Sequence, residues 1–493
     1  MAGRITRRTA LALGGLGVVA VAGGGALLWA GLNPADPRTG IPEGFTSGDD
    51  LSQPAELRST GGLLEVTLSA APAAATIGGR AASVLGYNGG LPGPTLRLRA
   101  GDRVRVALKN GLAGPTNVHV HGLHVSPEGN GDNMAVMVAA GESFDYEYRL
   151  PANHPPGVYW YHPHHHGTVA DQVFGGLYGA IVVDDPTPIE TGRERVMVIS
   201  DITLDGAGTV AGASAAQRMQ GREGDLVLVN GQLAPTLTLR PGERERWRVV
   251  NACVSRYLRL RLDGHRLQLL GLDSDRLEKP AEVDEIVLVP GNRADVLVTA
   301  GSGSAVLRTL AYDRGTATSG GMMGGSRQRA TDSDVILATV TVGGDPAAAP
   351  AAVPRQPAPA DLRGATVTAR RELDFAMGMG MDGGSMMAFT INGQEFDPDR
   401  LDTTVLAGSV EEWTLRNSSG MDHPFHLHVW PMQIVAQGGT PEMAVVWRDV
   451  VNVAAGGQVT VRIGFTDFAG RTVYHCHILD HEDAGMMGTI LAR

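Results

Sequence analysis

Four His-x-His pairs carry most of the potential chemistry of this 493-residue chain: His119-Val-His121, His162-Pro-His164, His426-Leu-His428 and His475-Cys-His477. Side chains alternate between the two faces of a strand, so each pair, placed on a strand, presents both imidazoles to one side. A single pair is ordinary surface composition. Four pairs, divided evenly between an early and a late stretch of the chain, describe a metal site. Imidazoles with no carboxylate among them suit copper, and zinc less well, rather than magnesium or calcium. Eight such groups are too many for one ion, whereas about three ions at two to three imidazoles each would use them all.

Within His475-Cys476-His477 the two imidazoles share a face and the sulfur takes the other, so Cys476 serves a different site. His481 follows five residues later, Met486 ten residues later, and His423 lies in an earlier segment. Two histidines, a cysteine and a distant thioether are the set that copper electron-transfer sites use. The plainer alternative makes Cys476 a small buried hydrophobe and Met486 core filler. The stretch 474–488 reads as the end of a strand, a loop and another strand. A copper on Cys476 is then joined to a cluster on His475 and His477 by a short run of backbone, a covalent path for an electron. One such copper plus a cluster of three matches the four electrons that take dioxygen to water.

A run from Met377 through Met379, Met381 and Met386 to Met387 places five methionines in eleven residues, with Met322 and Met323 elsewhere and Met421 two residues before His423. Thioethers suit copper(I) and hold copper(II) poorly. The run is therefore a candidate site for cuprous ion as a substrate; the alternative is a loop whose methionines cover apolar surface.

These residues need rigid strands beneath them, and the sequence repeats one strand three times. Gly101 to Asn110, Gly242 to Asn251 and Gly408 to Asn417 each run from a turn glycine to an asparagine nine residues on, with alternating apolar residues between. A second turn and strand recurs at Ala140-Gly141, Pro290-Gly291 and Gly456-Gly457. Segments such as Ile286-Val-Leu-Val and Val459-Thr-Val-Arg-Ile463 have the β-branched content of sandwich strands. The expected fold class is all-β, with three consecutive β-sandwich units at 46–186, 187–345 and 361–493, the last two joined by an Ala/Pro linker at 346–360. Only His265 of the 15 histidines falls in the middle unit, which locates the metal chemistry in the first and third. His124, His154, His165 and His166 lie outside the paired pattern and read as surface or supporting residues. Cys253 reads as a buried free thiol.

Composition narrows the function further. A net charge of −11, with no Lys/Arg run beyond the first ten residues, leaves no electrostatic footprint for nucleic acid. Two cysteines exclude a disulfide scaffold. Residues 1–45 read as an export signal or anchor plus linker: Thr6-Arg7-Arg8-Thr9 precedes an apolar stretch from Leu11 to Ala30, the pattern of a twin-arginine signal. The implied partner is the twin-arginine export machinery, and the implied location is periplasmic, cell-envelope or extracellular. Membrane contact is confined to that segment if it stays uncleaved.

Four blocks stand in a fixed order: His119-Val-His-Gly122, Tyr161-His-Pro-His-His-His-Gly167, His423-Pro-Phe-His-Leu-His428 and His475-Cys-His-Ile-Leu-Asp-His-Glu-Asp-Ala-Gly-Met486. Together they resemble the three-domain multicopper oxidases, laccases and bacterial cuprous oxidases among them. The resemblance covers essentially all of the chain after its N-terminal segment. It implies three cupredoxin-like Greek-key sandwiches and four copper ions. It assigns His423, Cys476, His481 and the axial Met486 to a type 1 copper, and His119 and His426 to a type 2 copper. His121, His162, His164, His428, His475 and His477 fall to a type 3 pair. It further implies Asp132 and Glu482 as proton donors for oxygen reduction; a turn-capping aspartate and a solvated loop acid are the plainer alternatives. Met421 matches a methionine of bacterial cuprous oxidases, while Ser419 stands where some of them carry an acid. The implied activity is oxidation of copper(I) or a small aromatic reductant coupled to reduction of dioxygen to water, with a role in copper tolerance. The alternatives are a ferroxidase, or a copper-sequestering protein with little turnover, for which a cysteine-linked cluster is superfluous.

Overall fold

The structure is a computed structural model that describes residues 42, 44–316, 333–378 and 387–493. Alternation decides how its strands stack. In Arg103–Asn110 the apolar Val104, Val106 and Leu108 are buried while Arg105 and Lys109 face outward, so one face of the strand is committed to a core. That strand pairs in parallel with Leu63–Ile77 and antiparallel with Ser143–Arg149. A second sheet of five strands, including Gly157–His162 and His119–His121, closes the other side of the same core.

The arrangement is repeated twice. A seven-stranded and a five-stranded sheet enclose Trp247, Leu260, Val296 and Leu337; a six-stranded and a five-stranded sheet enclose Trp413, Phe425, Val461 and Ile490. The described residues are thus all-β in the expected sense, a series of cupredoxin-like sandwiches. Leu51, ahead of the first strand, packs into the middle core, and Asp50 bridges to Thr236, so the start of the described chain is strapped to the middle sheets.

The repeated asparagines have a common task. Asn110 Nδ2 donates to the carbonyls of Gly114 and Val138, Asn251 Nδ2 to those of Arg256 and Leu288, and Asn417 Nδ2 to those of Met421 and Val453. Each Oδ1 also accepts the N–H two residues on, at Leu112, Cys253 and Ser419. Each asparagine thereby satisfies buried backbone groups of the loop that crosses to the opposite sheet. In the first and third units that loop delivers the histidine strand.

Among the described residues three short α-helices interrupt the strands: α1 (Val169–Gly175), α2 (Ala215–Gln220) and α3 (Leu479–Asp483). The α2 helix begins with a capping box between Ser214 and Gln217. The α3 helix corrects the expectation of a plain loop between Cys476 and Gly488. It has no side-chain cap of its own and is held from outside. Asp480 accepts the backbone N–H and Nε–H of Arg222, at 2.7 and 3.0 Å, and Asp483 accepts the N–H groups of Val169 and Ala170 at the start of α1.

Candidate metal centre

Strand register brings the histidines together. His119 lies directly opposite His162 in one antiparallel pair, and His426 directly opposite His475 in another. Opposite residues share a face, so each ladder stacks imidazoles on one side. In the second ladder the next pair along is Phe425 with Cys476, which puts the sulfur on the opposite face as the alternation requires.

All ten paired or cysteine-adjacent histidines are buried, and their nitrogens converge. Candidate ligand atoms lie within 4.8 Å of one another in the groups His121/His162/His477, His164/His428/His475, His119/His121/His426 and His423/Cys476/His481. Across the first cluster His164 Nε2 faces His475 Nε2 at 3.0 Å, His428 Nε2 faces His475 Nε2 at 3.2 Å, and His477 Nε2 faces His121 Nδ1 at 3.3 Å. The outward nitrogens are tied to the protein. Nδ1–H donates to a carbonyl in His162 (Pro163, 2.8 Å), His426 (Asp449, 2.7 Å) and His475 (Cys476, 2.9 Å), while His119 Nδ1 lies 2.9 Å from Asp132 Oδ2. The inward Nε2 atoms of His119, His162 and His426 are buried with no hydrogen-bond partner among the described residues.

Electrostatics agree with the geometry. Burial pushes every one of these imidazoles below the ordinary histidine range, His162 to about 4 and His423 to about 3, and neighbouring imidazoles deepen the effect through the cluster. Where the single N–H of a neutral imidazole is spent on an outward carbonyl, as in His162, His426 and His475, the remaining lone pair is aimed into the shared space. Such a set is costly unless a cation completes it.

The cysteine group is separate. His423 Nδ1 is 3.4 Å and His481 Nδ1 is 3.9 Å from Cys476 Sγ, and Ile478 N–H donates to the sulfur at 3.4 Å. Burial raises the thiol's pKa, opposed by that N–H and by the Arg314 charge. A metal that binds the thiolate removes the penalty. Met486 is fully buried in the same core, and its carbonyl accepts the Cys476 N–H at 3.0 Å. Phe389 stacks on His481 with ring centroids 4.6 Å apart. His423 Nε2–H donates to Ser419 Oγ at 2.8 Å and His481 Nε2–H to the carbonyl of Met219 on α2 at 3.2 Å. The donor chemistry therefore fits copper at both places: neutral imidazoles alone in one, imidazoles with a thiolate in the other.

The two acids differ from their plainer readings. Asp132 is buried, within reach of both His119 Nδ1 and the Val120 N–H, and burial raises it to about 8. Glu482 is fully buried rather than solvated, neither oxygen has a hydrogen-bond partner among the described residues, and burial alone raises it to about 8. His124 bridges Val429 O and Asp467, and His154 is buried beneath it, accepting the His124 N–H. His166 Nδ1 stands 3.7 Å from Glu482 Oε1. Cys253 is a buried free thiol in the middle core. Met377 and Met387 pack against the third core and Met421 is buried within it, whereas Met379, Met381, Met386, Met322, Met323 and the N-terminal residues 1–41 lie outside the described residues. Sequence reading missed Asp449, Arg293 and Met219, whose roles come from contacts across several hundred residues or from a backbone carbonyl that no residue type announces.

Comparisons with known proteins point the same way. Family models described as multicopper oxidase match residues 70–188, 193–307 and 367–493. The chain is 29% identical over 425 residues to multicopper oxidase mco of Staphylococcus aureus, covering 84% of each protein. It superposes with a TM-score of 0.79 and 29% identity on a multicopper oxidase from Campylobacter jejuni, described as a metallo-oxidase, covering 92% of this chain and 97% of that one. The corresponding values for a laccase-like multicopper oxidase CueO from Ochrobactrum sp., with activity towards lignin model compounds, are 0.74 and 26%, covering 90% and 100%. With family models matched to all three sandwiches and ligand sets of this kind in the first and third, the chain belongs to the multicopper oxidases, copper enzymes that oxidise a substrate and pass its electrons to dioxygen.

Proposed function

We propose that His423, Cys476 and His481, with Met486 as a weak axial thioether, hold a type 1 copper, and that His119 and His426 hold a type 2 copper. His121, His162 and His477 hold one type 3 ion and His164, His428 and His475 the other. The observation that supports this division is that His121/His162/His477, His164/His428/His475 and His423/Cys476/His481 each bring their ligand atoms within 4.8 Å of one another, with His119 and His426 meeting in a further group beside His121. Copper so held supplies one-electron oxidation at the cysteine site and four-electron reduction of dioxygen at the three-ion cluster.

The chain's own residues do the rest. Cys476 is covalently continuous with His475 and His477, which ties the two sites at fixed separation. Phe389, Ile478 and Met486 keep water from the thiolate. Oxygen reduction consumes protons, and Asp132 and Glu482 are the buried carboxyls placed to hold them, Asp132 beside His119 and Glu482 next to His481 in α3. Asp132→Asn and Glu482→Gln at full copper occupancy are expected to slow oxygen reduction at least tenfold; unchanged turnover removes the role.

The substrates we assign are copper(I) and small aromatic reductants. Support comes from Met377, Met387 and Met421 around the third core and from the two structural relatives, one a metallo-oxidase and the other an oxidase of lignin model compounds. Oxygen uptake by the copper-loaded protein with cuprous ion, ferrous ion and a phenol in parallel tests this. Deleting residues 377–387 is expected to abolish cuprous oxidation and spare the phenol. Equal loss on both, or none on copper, contradicts the assignment; a ferrous rate above the others makes the protein a ferroxidase, and four bound coppers without turnover make it a store.

We also infer unit boundaries at 46–186, 187–345 and 361–493, and twin-arginine export through Arg7 and Arg8. Among the described residues no helix is long and apolar enough to cross a membrane. Replacing both arginines with lysine is expected to leave the protein inside the cell; secretion unchanged refutes the assignment.

A further inference from the structure

The middle unit supplies no histidine to the cluster, yet one of its side chains reaches it. Arg293 begins the strand Arg293–Thr299 and is fully buried. Its guanidinium takes Asp449 in a two-point grip, Nη1 to Oδ1 at 2.5 Å and Nη2 to Oδ2 at 2.6 Å. Nε donates to the carbonyl of Val158 at 3.0 Å, and the group lies over the Tyr159 ring, 5.6 Å from its centre. One side chain of the middle unit thus touches segments of the other two.

Asp449 in turn orients two imidazoles with different atoms. Its Oδ1 lies 3.2 Å from His121 Nε2, and its backbone carbonyl 2.7 Å from His426 Nδ1. Both oxygens of Asp449 accept from the guanidinium, and Oδ1 faces His121 Nε2 as a further acceptor, so the geometry directs the His121 N–H through Nε2. The Nδ1 lone pair is then left facing His477 Nε2, 3.3 Å away. His426 is turned the other way, with Nε2 inward. The backbone is shaped for the grip: at Gly122, where φ is +83°, a β-carbon would stand 2.4 Å from Arg293 Nη2 and 2.9 Å from Asp449 Oδ2. Any other residue after His121 displaces the guanidinium.

We propose that Arg293 is a positioning residue for the three-copper cluster: by clamping Asp449 it sets the tautomer of His121, so that the unit without ligands governs how firmly copper is held there. This rests on the ligand assignment above. Outer partners of metal-bound histidines typically change metal affinity by about 10- to 100-fold.

The test uses the full-length, copper-loaded protein and its Arg293→Lys variant, which keeps the charge and loses the fork. Four readings are taken: copper ions per chain, the chelator concentration that strips them, the visible absorption of the cysteine-bound copper, and the electron paramagnetic resonance signal of the type 2 copper. The expected result is normal cysteine-copper absorption with at least a tenfold lower stripping concentration for the remaining copper and an altered type 2 resonance signal. Arg293→Lys that retains four ions with wild-type chelator resistance overturns the proposal, as does loss of both kinds of copper in parallel, which marks a merely structural ion pair. If Arg293→Lys does not fold, Asp449→Asn carries the same expectation and the same refutation. Wild-type protein with fewer than four ions per chain refutes the ligand assignment instead, so the two failures are distinguishable.

Discussion

Gly291 and His477 meet backbone to ring: a β-carbon on Gly291 would lie 2.9 Å from Nε2 of His477, at a φ of +88° that side chains rarely adopt. The contact joins the turn before the middle unit's Arg293 strand to a ligand carried near the end of the third. It makes the middle sandwich a wall of the cluster rather than a spacer. Gly291→Ala then meets two penalties, about 1 kcal/mol or more of backbone strain and a displaced imidazole. We expect it to lose copper from the His121/His162/His477 group and at least tenfold in oxygen turnover while keeping the cysteine-copper absorption. Elemental analysis and an oxygen electrode read both; full copper content would mean that the ring yields.

Cys476→Ser removes the only sulfur anion in the site but hardly alters volume in a tightly packed core. The intense visible absorption is expected to vanish and substrate oxidation to fall to the assay floor. The copper-free variant should melt within a few degrees of copper-free wild type, since the thiol there contributes only packing. Residual colour at wild-type intensity would move the electron-accepting copper elsewhere.

Met486→Leu keeps the packing and deletes the thioether. Axial ligands tune the potential of His₂Cys copper, and loss of a weak donor raises it. The variant should stay blue, with a higher potential in a spectroelectrochemical titration. An unchanged or lower value would show that the sulfur does not coordinate.

A pH-dependent stability difference belongs to Asp295. This buried carboxylate accepts from Arg246 Nε at 2.8 Å, Arg248 Nη1 at 2.9 Å and Arg276 Nη1 at 2.7 Å. Burial would raise its pKa, but attraction to Arg246 and Arg248 outweighs that and holds the carboxyl well below the usual range. A depressed folded pKa contributes stability that is present above the unfolded value, about 3.9, and is lost as pH falls through the folded one. Asp295→Asn leaves buried guanidinium groups short of a counter-charge, at a cost of about 3–5 kcal/mol near neutral pH. The gap between wild type and variant in denaturant melts should narrow once the pH drops below about 3.9. A gap constant down to pH 2 would assign the loss to packing.

The histidine pairs were legible because alternation along a strand is local: the faces of His475, Cys476 and His477 follow from their order alone. The unit repeat was legible in Gly-to-Asn spacing, though the asparagines' task of bonding two carbonyls and a following N–H depends on loops that spacing does not describe. The α3 helix was not legible. Five residues without a cap have little helical tendency of their own, and Arg222, Val169 and Ala170 from distant segments stabilise the turn. Asp449 escaped for the same reason: it sits 328 residues from the imidazole it orients, and an Arg-Asp-Val triplet reads as ordinary strand edge.

His121 and His477 face each other across 356 positions of sequence, and Cys476 finds its second imidazole only when His481 has been added. A ribosome-bound chain can fold its early sandwiches as they emerge, but it has no complete cavity for a metal ion until synthesis has passed Met486. Metal retention by the whole set therefore waits for the third sandwich, and a chain stopped after the second would carry four of the eight paired histidines and lack Cys476.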